Sequence, residues 1–422
     1  MSISKLIPGE TDVEELPNSA LQHLDTPDTS ADFNSSPFNA LELISECKPA
    51  LHDTSRTAAV VNKKPSPSLQ NVSSNTSLEP EREALFHSAI VPKMWLSDLK
   101  KISGYVEGKR REGGVMIPVR VAILDTGLDK DLPVFKENSG LLKNVTEVKD
   151  FVEPSTPTMT DTFGHDTFGH GTFMARLIME CAPGVEILVA RVARNTNELK
   201  NSQVNIKEAI LWAWQTGKAD IISMSFGFPS DDQGICDAIE TAQKKRKGKI
   251  IFLASAGNSP TDDESFPARH SSVISVYATN CYGTFLESNS ASTSNGAAVL
   301  GTYGDDIPDS IREEFTKYPT VSKPGSSVAT AIMAGISATM LAYASVLSSL
   351  VPLQVGAAST VNNLLRHLWT AKGMEAVLYR LVQEDCDRPR LKAVNPMWFW
   401  KNKQDDTIRC FSICDALSDV DR

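Results

Sequence analysis

Four short stretches of the chain carry side chains able to do chemistry, and each also has an ordinary structural use. In Val121-Ala122-Ile123-Leu124-Asp125-Thr126-Gly127 an apolar run ends in a carboxylate and a glycine turn. An Asp in this setting caps a turn, or serves as one of two carboxylates that share a proton, which requires a second Asp-Thr/Ser-Gly loop. The chain has no second loop of that kind, because Asp309-Ser310 continues into Ile311. His170, between Gly169 and Gly171, opens a helical pattern; an imidazole so placed can be approached closely and can move a proton near neutral pH, or it can simply cap or pack. The preceding Asp161-Thr162-Phe163-Gly164-His165 nearly copies Asp166-Thr167-Phe168-Gly169-His170, but only His170 is followed by Gly-Thr and a helix. Two ligands at i and i+5 do not share a helix face, so the pair makes a poor zinc site. Asn258 ends Ile250-Ile251-Phe252-Leu253-Ala254-Ser255-Ala256-Gly257-Asn258, where its amide either reaches into a site or closes a turn. Ser327, in Pro324-Gly325-Ser326-Ser327-Val328-Ala329, begins another helical pattern. A serine there caps the helix, and the same position suits a nucleophile, since free backbone N–H groups stabilise developing negative charge.

The elements that must hold these groups follow from periodicity. Residues 119–124, 185–192, 221–224, 250–254 and 273–278 are apolar runs that read as strands, and residues 204–214 and 236–247 read as helices. Strands interleaved with helices predict an α/β fold, a doubly wound, largely parallel sheet with helices on both faces. Ligands of such sheets lie at the carboxyl ends of the strands. Residues 328–351 run 24 positions without a charge, long enough for a membrane span. Ala, Ser, Thr and Gly dominate the run, however, which predicts a buried helix inside the α/β domain and no membrane association. Residues 1–92 are rich in Ser, Thr, Pro, Asn and acids and are expected to be disordered, with capacity to dock partners. The folded domain is expected over 93–350, opening on a helix around Met94-Trp95-Leu96. Residues 351–422 form a helical extension packed on it, with Trp398-Phe399-Trp400 offering a docking surface.

Composition narrows the function further. Hydrophobic residues make up 41% of the 422, enough for a sizeable core, and the net charge of −10 argues against nucleic acid or anionic membrane as partners. The run Lys244-Lys245-Arg246-Lys247 ends a helix and complements its dipole. The first residues lack the apolar core of a secretory leader, and the seven cysteines are odd in number and scattered, which fits an intracellular, cytoplasmic protein with reduced thiols. No carboxylate-dense loop has convincing metal-ligand spacing, Asp262-Asp263-Glu264 reading as a solvated loop. No metal or cofactor is therefore expected.

The four blocks, in this order, resemble the subtilisin-like serine peptidases, the subtilase family. That family reads Asp-Thr/Ser-Gly, His-Gly-Thr, Ala-Ala-Gly-Asn and Gly-Thr-Ser-Met-Ala, with chain order Asp, His, Ser. The resemblance covers residues 93–350. It implies Ser327 as nucleophile, His170 as general base and then acid, and Asp125 as the group that orients and stabilises the imidazole. Asn258 and the Ser327 backbone N–H would form the oxyanion hole. Ser225, Phe226 and Gly227 would pair with an extended substrate and, with Ala254, Ser255, Ala256 and Gly257, wall the pocket for the residue before the cut. The small side chains of that second wall leave room for a large apolar residue.

The chain departs from the family pattern at Ser326 (usually Thr), Val328 (usually Met), Ala331 (usually Pro) and Phe173. These are isosteric or apolar changes around an intact triad. The expectation is a serine endopeptidase acting on protein or peptide substrates. The rival is a binding or regulatory module of the same fold with vestigial activity.

Overall fold

The computed structural model describes residues 79–138, 140–153, 164–293, 298–352, 357–382, 390–403 and 405–420, with side chains from residue 94 onward. The expectation of disorder for residues 1–78 lies outside the described residues. Eight strands are described: β1 Arg120–Asp125, β2 Val145–Asp150, β3 Glu186–Arg191, β4 Ile221–Met224, β5 Ile251–Ser255, β6 Val273–Thr279, β7 Val299–Tyr303 and β8 Leu391–Ala393. They form one sheet in the order β2-β3-β1-β4-β5-β6-β7-β8, and every neighbouring pair is parallel. The chain leaves β1 toward β3 and β2 on one side, then returns to β4 on the other. The order therefore reverses between β1 and β4, the place where a doubly wound sheet opens a crevice at its carboxyl ends.

Helices cover both faces: α1 Glu79–Glu112, α2 His170–Cys181, α3 Gln203–Gln215, α4 Gln233–Lys245, α5 Ser326–Leu350, α6 Ala357–Leu365, α7 Ala371–Arg380, α8 Pro396–Asn402 and α9 Asp406–Ser418. Alternate strand residues point to opposite faces, and the core divides accordingly. Val121, Ile123, Ile187, Val189 and Leu253 pack with α1, α2 and α5. Ala122, Leu124, Leu188, Ile222 and Phe252 pack with α3 and α4.

Helix α5 is the uncharged run seen in the sequence. By length and composition it is apolar enough to cross a membrane, yet it is almost wholly buried in the core. Its alanines at 329, 331, 334, 338 and 342 are all at most 3% exposed, so the helix passes close beneath the sheet and against α2. At Gly335 a Cβ would lie 2.5 Å from Cys181 Cβ of α2.

Two boundaries differ from expectation. Helix α1 begins at Glu79, well before residue 93. The C-terminal segment is more than a helical extension, because it contributes β8 to the main sheet with Leu391 opposite Val299. The aromatic cluster turns inward: Phe399 is 1% exposed, and Trp400 lies against Tyr343 of α5, ring centroids 5.4 Å apart. Asp406 of α9 accepts hydrogen bonds from Tyr105 of α1 (2.6 Å) and Tyr343 of α5 (2.6 Å) and pairs with Arg409. One carboxylate thus joins three helices.

Because α2 and α5 touch at Gly335, Gly335→Ala must push them apart. A loss of about 1–3 kcal/mol is expected, as for other overpacked cores, read as a lower urea midpoint with an unchanged slope.

Candidate active site

The site is assembled where β1 ends. Asp125, its last residue, is 3% exposed at the side chain and accepts from His170 Nδ1 at 2.8 Å. The same oxygen accepts the Thr126 N–H at 2.8 Å. Asp125 Oδ2 is buried with no hydrogen-bond partner among the described residues. An unneutralised buried oxygen favours positive charge on the adjacent ring.

His170 is the first residue of α2. Gly169, at φ +92, turns the chain into the helix, a conformation that favours glycine. Buried Asp166 holds this turn by accepting the N–H groups of Phe168 (3.0 Å), Gly169 (2.7 Å) and Thr172 (2.9 Å). Thr126 Oγ1 accepts the Gly171 N–H at 2.9 Å, tying the helix start to the Asp125 loop. With Nδ1–H donating to Asp125, the neutral ring presents Nε2 as an acceptor. Burial pulls the imidazole pKa down; the Asp125 charge, its hydrogen bond and the more distant Asp166 outweigh that, and the net shift is upward from the ordinary 6.5. The copy of the motif is used differently, since His165 Nδ1 lies 3.7 Å from Asp129 Oδ1.

Ser327 is the second residue of α5, where helix N–H groups have no intrahelical acceptor. Its Oγ donates to the Ser225 carbonyl at 2.9 Å, and Ser225 Oγ donates to the Ser327 carbonyl at 3.1 Å. No hydrogen bond among the described residues joins Ser327 Oγ to His170. Both nevertheless line the same cavity. Asn258 is fixed from the same helix start, its Oδ1 accepting the Ser326 N–H at 2.7 Å with Ser326 Oγ 2.9 Å away. Gly325 allows this approach, because a Cβ there would lie 2.7 Å from Asn258 Oδ1.

The cavity measures about 590 Å³ and is lined, beside Asp125, Thr126, His170 and Ser327, by two stretches of chain. One wall is Ser225–Asp232 and contains the expected Ser225, Phe226 and Gly227. The other is formed by Asn195, Thr196, Leu199, Lys200 and Gln203. No motif in the sequence marked that second wall. Ala254, Ser255, Ala256 and Gly257 do not line the cavity. Ala254, Ser255 and Ala256 are buried behind it, and Ser255 Oγ sits 2.6 Å from Ser326 Oγ. Ser265 stands close to both glycines of that expected pocket. A Cβ on Gly227 would overlap Ser265, and one on Gly257 would lie 2.8 Å from Ser265 Oγ.

Asp129, Asp131 and His165 bring ligand atoms within 4.8 Å of one another. Asp129 Oδ2 in this group is held by the Lys317 ammonium at 2.7 Å and by the Tyr318 hydroxyl at 2.7 Å.

An Asp–His pair and a helix-borne serine thus line one cavity on a parallel α/β sheet. The sequence model of the subtilase family matches residues 118–377, more than half of the chain. The chain belongs to the subtilase family. It is 32% identical over 227 residues to the intracellular serine protease of Paenibacillus polymyxa, covering 51% of this chain and 64% of that protein. The subtilisin-like protease het-Q2 of Podospora anserina is 26% identical over 262 residues, covering 53% and 69%. The major intracellular serine protease of Bacillus subtilis (strain 168) is 29% identical over 194 residues, covering 44% and 54%.

The raised His170 pKa is open to direct measurement. The NMR titration of the His170 imidazole should have its midpoint above that of an exposed histidine, about 6.5. In Asp125→Asn the midpoint should fall, because the attraction opposing burial is then removed.

Proposed function

We propose that the chain is a serine endopeptidase that hydrolyses peptide bonds through an acyl-enzyme on Ser327. The observation that carries this reading is the 2.8 Å Asp125–His170 hydrogen bond facing the Ser327-bearing end of α5 within one cavity. His170 Nε2 takes the Ser327 hydroxyl proton as Oγ attacks the substrate carbonyl. This requires Ser327 Oγ to rotate off the Ser225 carbonyl. The resulting oxyanion is met by the Ser327 N–H and the Asn258 side-chain amide, groups fixed before the reaction begins. His170 then protonates the leaving amine, and a water repeats the sequence to release the acid. Asp125 holds the ring in the required tautomer and stabilises its cation. An extended substrate lies along residues 225–227, with backbone hydrogen bonds supplying affinity. Ser265 between Gly227 and Gly257 supports a small residue before the cut in place of a large one. The names of the Paenibacillus and Bacillus relatives support protein or peptide substrates and an intracellular setting.

The full chain should label with a fluorophosphonate and Ser327→Ala should not; labelling that persists in the variant sinks the assignment. Asn258→Ala should lower kcat by about 10²–10³-fold. Activity should fall on the acid side of the raised His170 pKa, and a flat profile between about pH 5 and 8 contradicts a neutral imidazole base. Among peptides differing only before the cut, Ala should be preferred to Phe, and Ser265→Gly should narrow that preference.

The second reading, a binding module with vestigial activity, draws on the Ser327–Ser225 hydrogen bond, which leaves the nucleophile off the imidazole. Absence of both labelling and turnover in the parent chain would favour it.

A further inference from the structure

Two buried carboxylates that the reaction does not use are bonded to the start of α2. Asp129 and Asp166 are both 0% exposed, a costly placement unless every oxygen is engaged. Asp166 is surrounded by the N–H groups of the turn that delivers His170 and by Thr172 Oγ1 at 2.7 Å. Thr172 Oγ1 in turn accepts the Asp129 N–H at 2.9 Å. Both acids are then reached from a third segment. The Tyr318 hydroxyl lies 2.7 Å from Asp129 Oδ2 and 2.8 Å from the Asp166 carbonyl oxygen, and Lys317 Nζ lies 2.7 Å from Asp129 Oδ2. The Tyr318 ring completes the contact, since a Cβ on Gly169 would overlap it. Tyr318 therefore touches the residue immediately before His170, while its own chain runs on nine residues to Ser327.

We propose that Tyr318 is a positioning residue that sets His170 relative to Ser327, its hydroxyl and ring locking the segment that leads to the serine onto the turn that begins at Asp166. The imidazole and the hydroxyl stand on different elements, α2 and α5, and no hydrogen bond joins them in the resting site. Their approach in the reaction depends on how those two helix starts are held. Asp125 fixes only the ring side of this pair. The Tyr318 contact ties the Asp166 turn itself to the chain entering α5, with Lys317 securing Asp129 as its far anchor, while the Arg176–Glu314 ion pair and the Phe173–Phe315 ring contact join α2 to the same segment farther along. A misplacement on the order of 1 Å in such a pair costs up to about a hundredfold in rate, whereas substrate held along residues 225–227 is untouched.

The proposal rests on the endopeptidase reading, and the test separates the two. Turnover of the full chain is measured per active site, the sites being counted by fluorophosphonate titration. Tyr318→Phe keeps the ring and removes the hydroxyl. It should lower kcat per titrated site by about tenfold or more and leave KM within about twofold. Lys317→Met, at a half-exposed side chain that a folded chain tolerates, should move kcat in the same direction by a smaller factor. A merely structural role would lower the titrated fraction or the melting temperature with kcat per site unchanged. That result in both variants overturns the proposal. If the parent neither labels nor turns over, the endopeptidase reading falls and the His170 imidazole resonances decide: a shifted or broadened signal in Tyr318→Phe supports the positioning role, and an unaltered spectrum overturns it.

Discussion

The close passage of α5 through the centre of the protein is the constraint to which the remaining features answer. A helix of 25 residues can lie against strands and α2 at short range only if its contact positions are small. The alanines and Gly335 supply that, at the cost of conformational entropy where glycine is used. Because the helix cannot shift without breaking this packing, its first turn is a fixed point in space. Ser326, Ser327 and the N–H groups around them inherit that rigidity, and Asn258 is aligned by bonding to Ser326. The nucleophilic side of the site is therefore a by-product of core packing.

The imidazole side is built by a different means. The turn before α2 is made of irregular backbone, and buried carboxylates take the place of apolar packing. Asp166 accepts the N–H groups of Phe168 and Gly169 in the turn and of Thr172 in the first turn of α2, and Asp125 orients the ring. Such networks are rigid only when complete, since a buried acid that loses a donor is strongly destabilising. This explains why so many acids crowd one region of a domain whose central strands are otherwise almost purely apolar.

Much of this arrangement was legible in the sequence, for identifiable reasons. The central strands were found because both of their faces are buried and their runs are continuously apolar, as in residues 121–124. Asp125, His170, Asn258 and Ser327 stood out because glycines and small residues bracket them. The edge strand β2, Val-Thr-Glu-Val-Lys-Asp, is half exposed and alternates with charges, so no apolar run announced it. β7 contains a glycine, and β8 is only three residues long. Asp166 belongs to a repeated motif whose histidine drew attention in place of its acid. Tyr318 and the wall at residues 195–203 carry no local pattern, because their roles arise from contacts between segments far apart in the chain. Ser265 shows the same limit: nothing in the local sequence at 254–257 announces that it stands beside Gly227 and Gly257.

The late arrival of β8 has a consequence for biosynthesis. Its partner β7 ends at Tyr303, and Leu391 follows 88 residues later. As the chain leaves the ribosome, the β7 edge stays unpaired until residue 391 has emerged, although all four residues of the reactive cluster have been made by then. An unpaired parallel edge invites non-native pairing. Emergence of residues 391–393 therefore sets the earliest moment at which this side of the sheet can close.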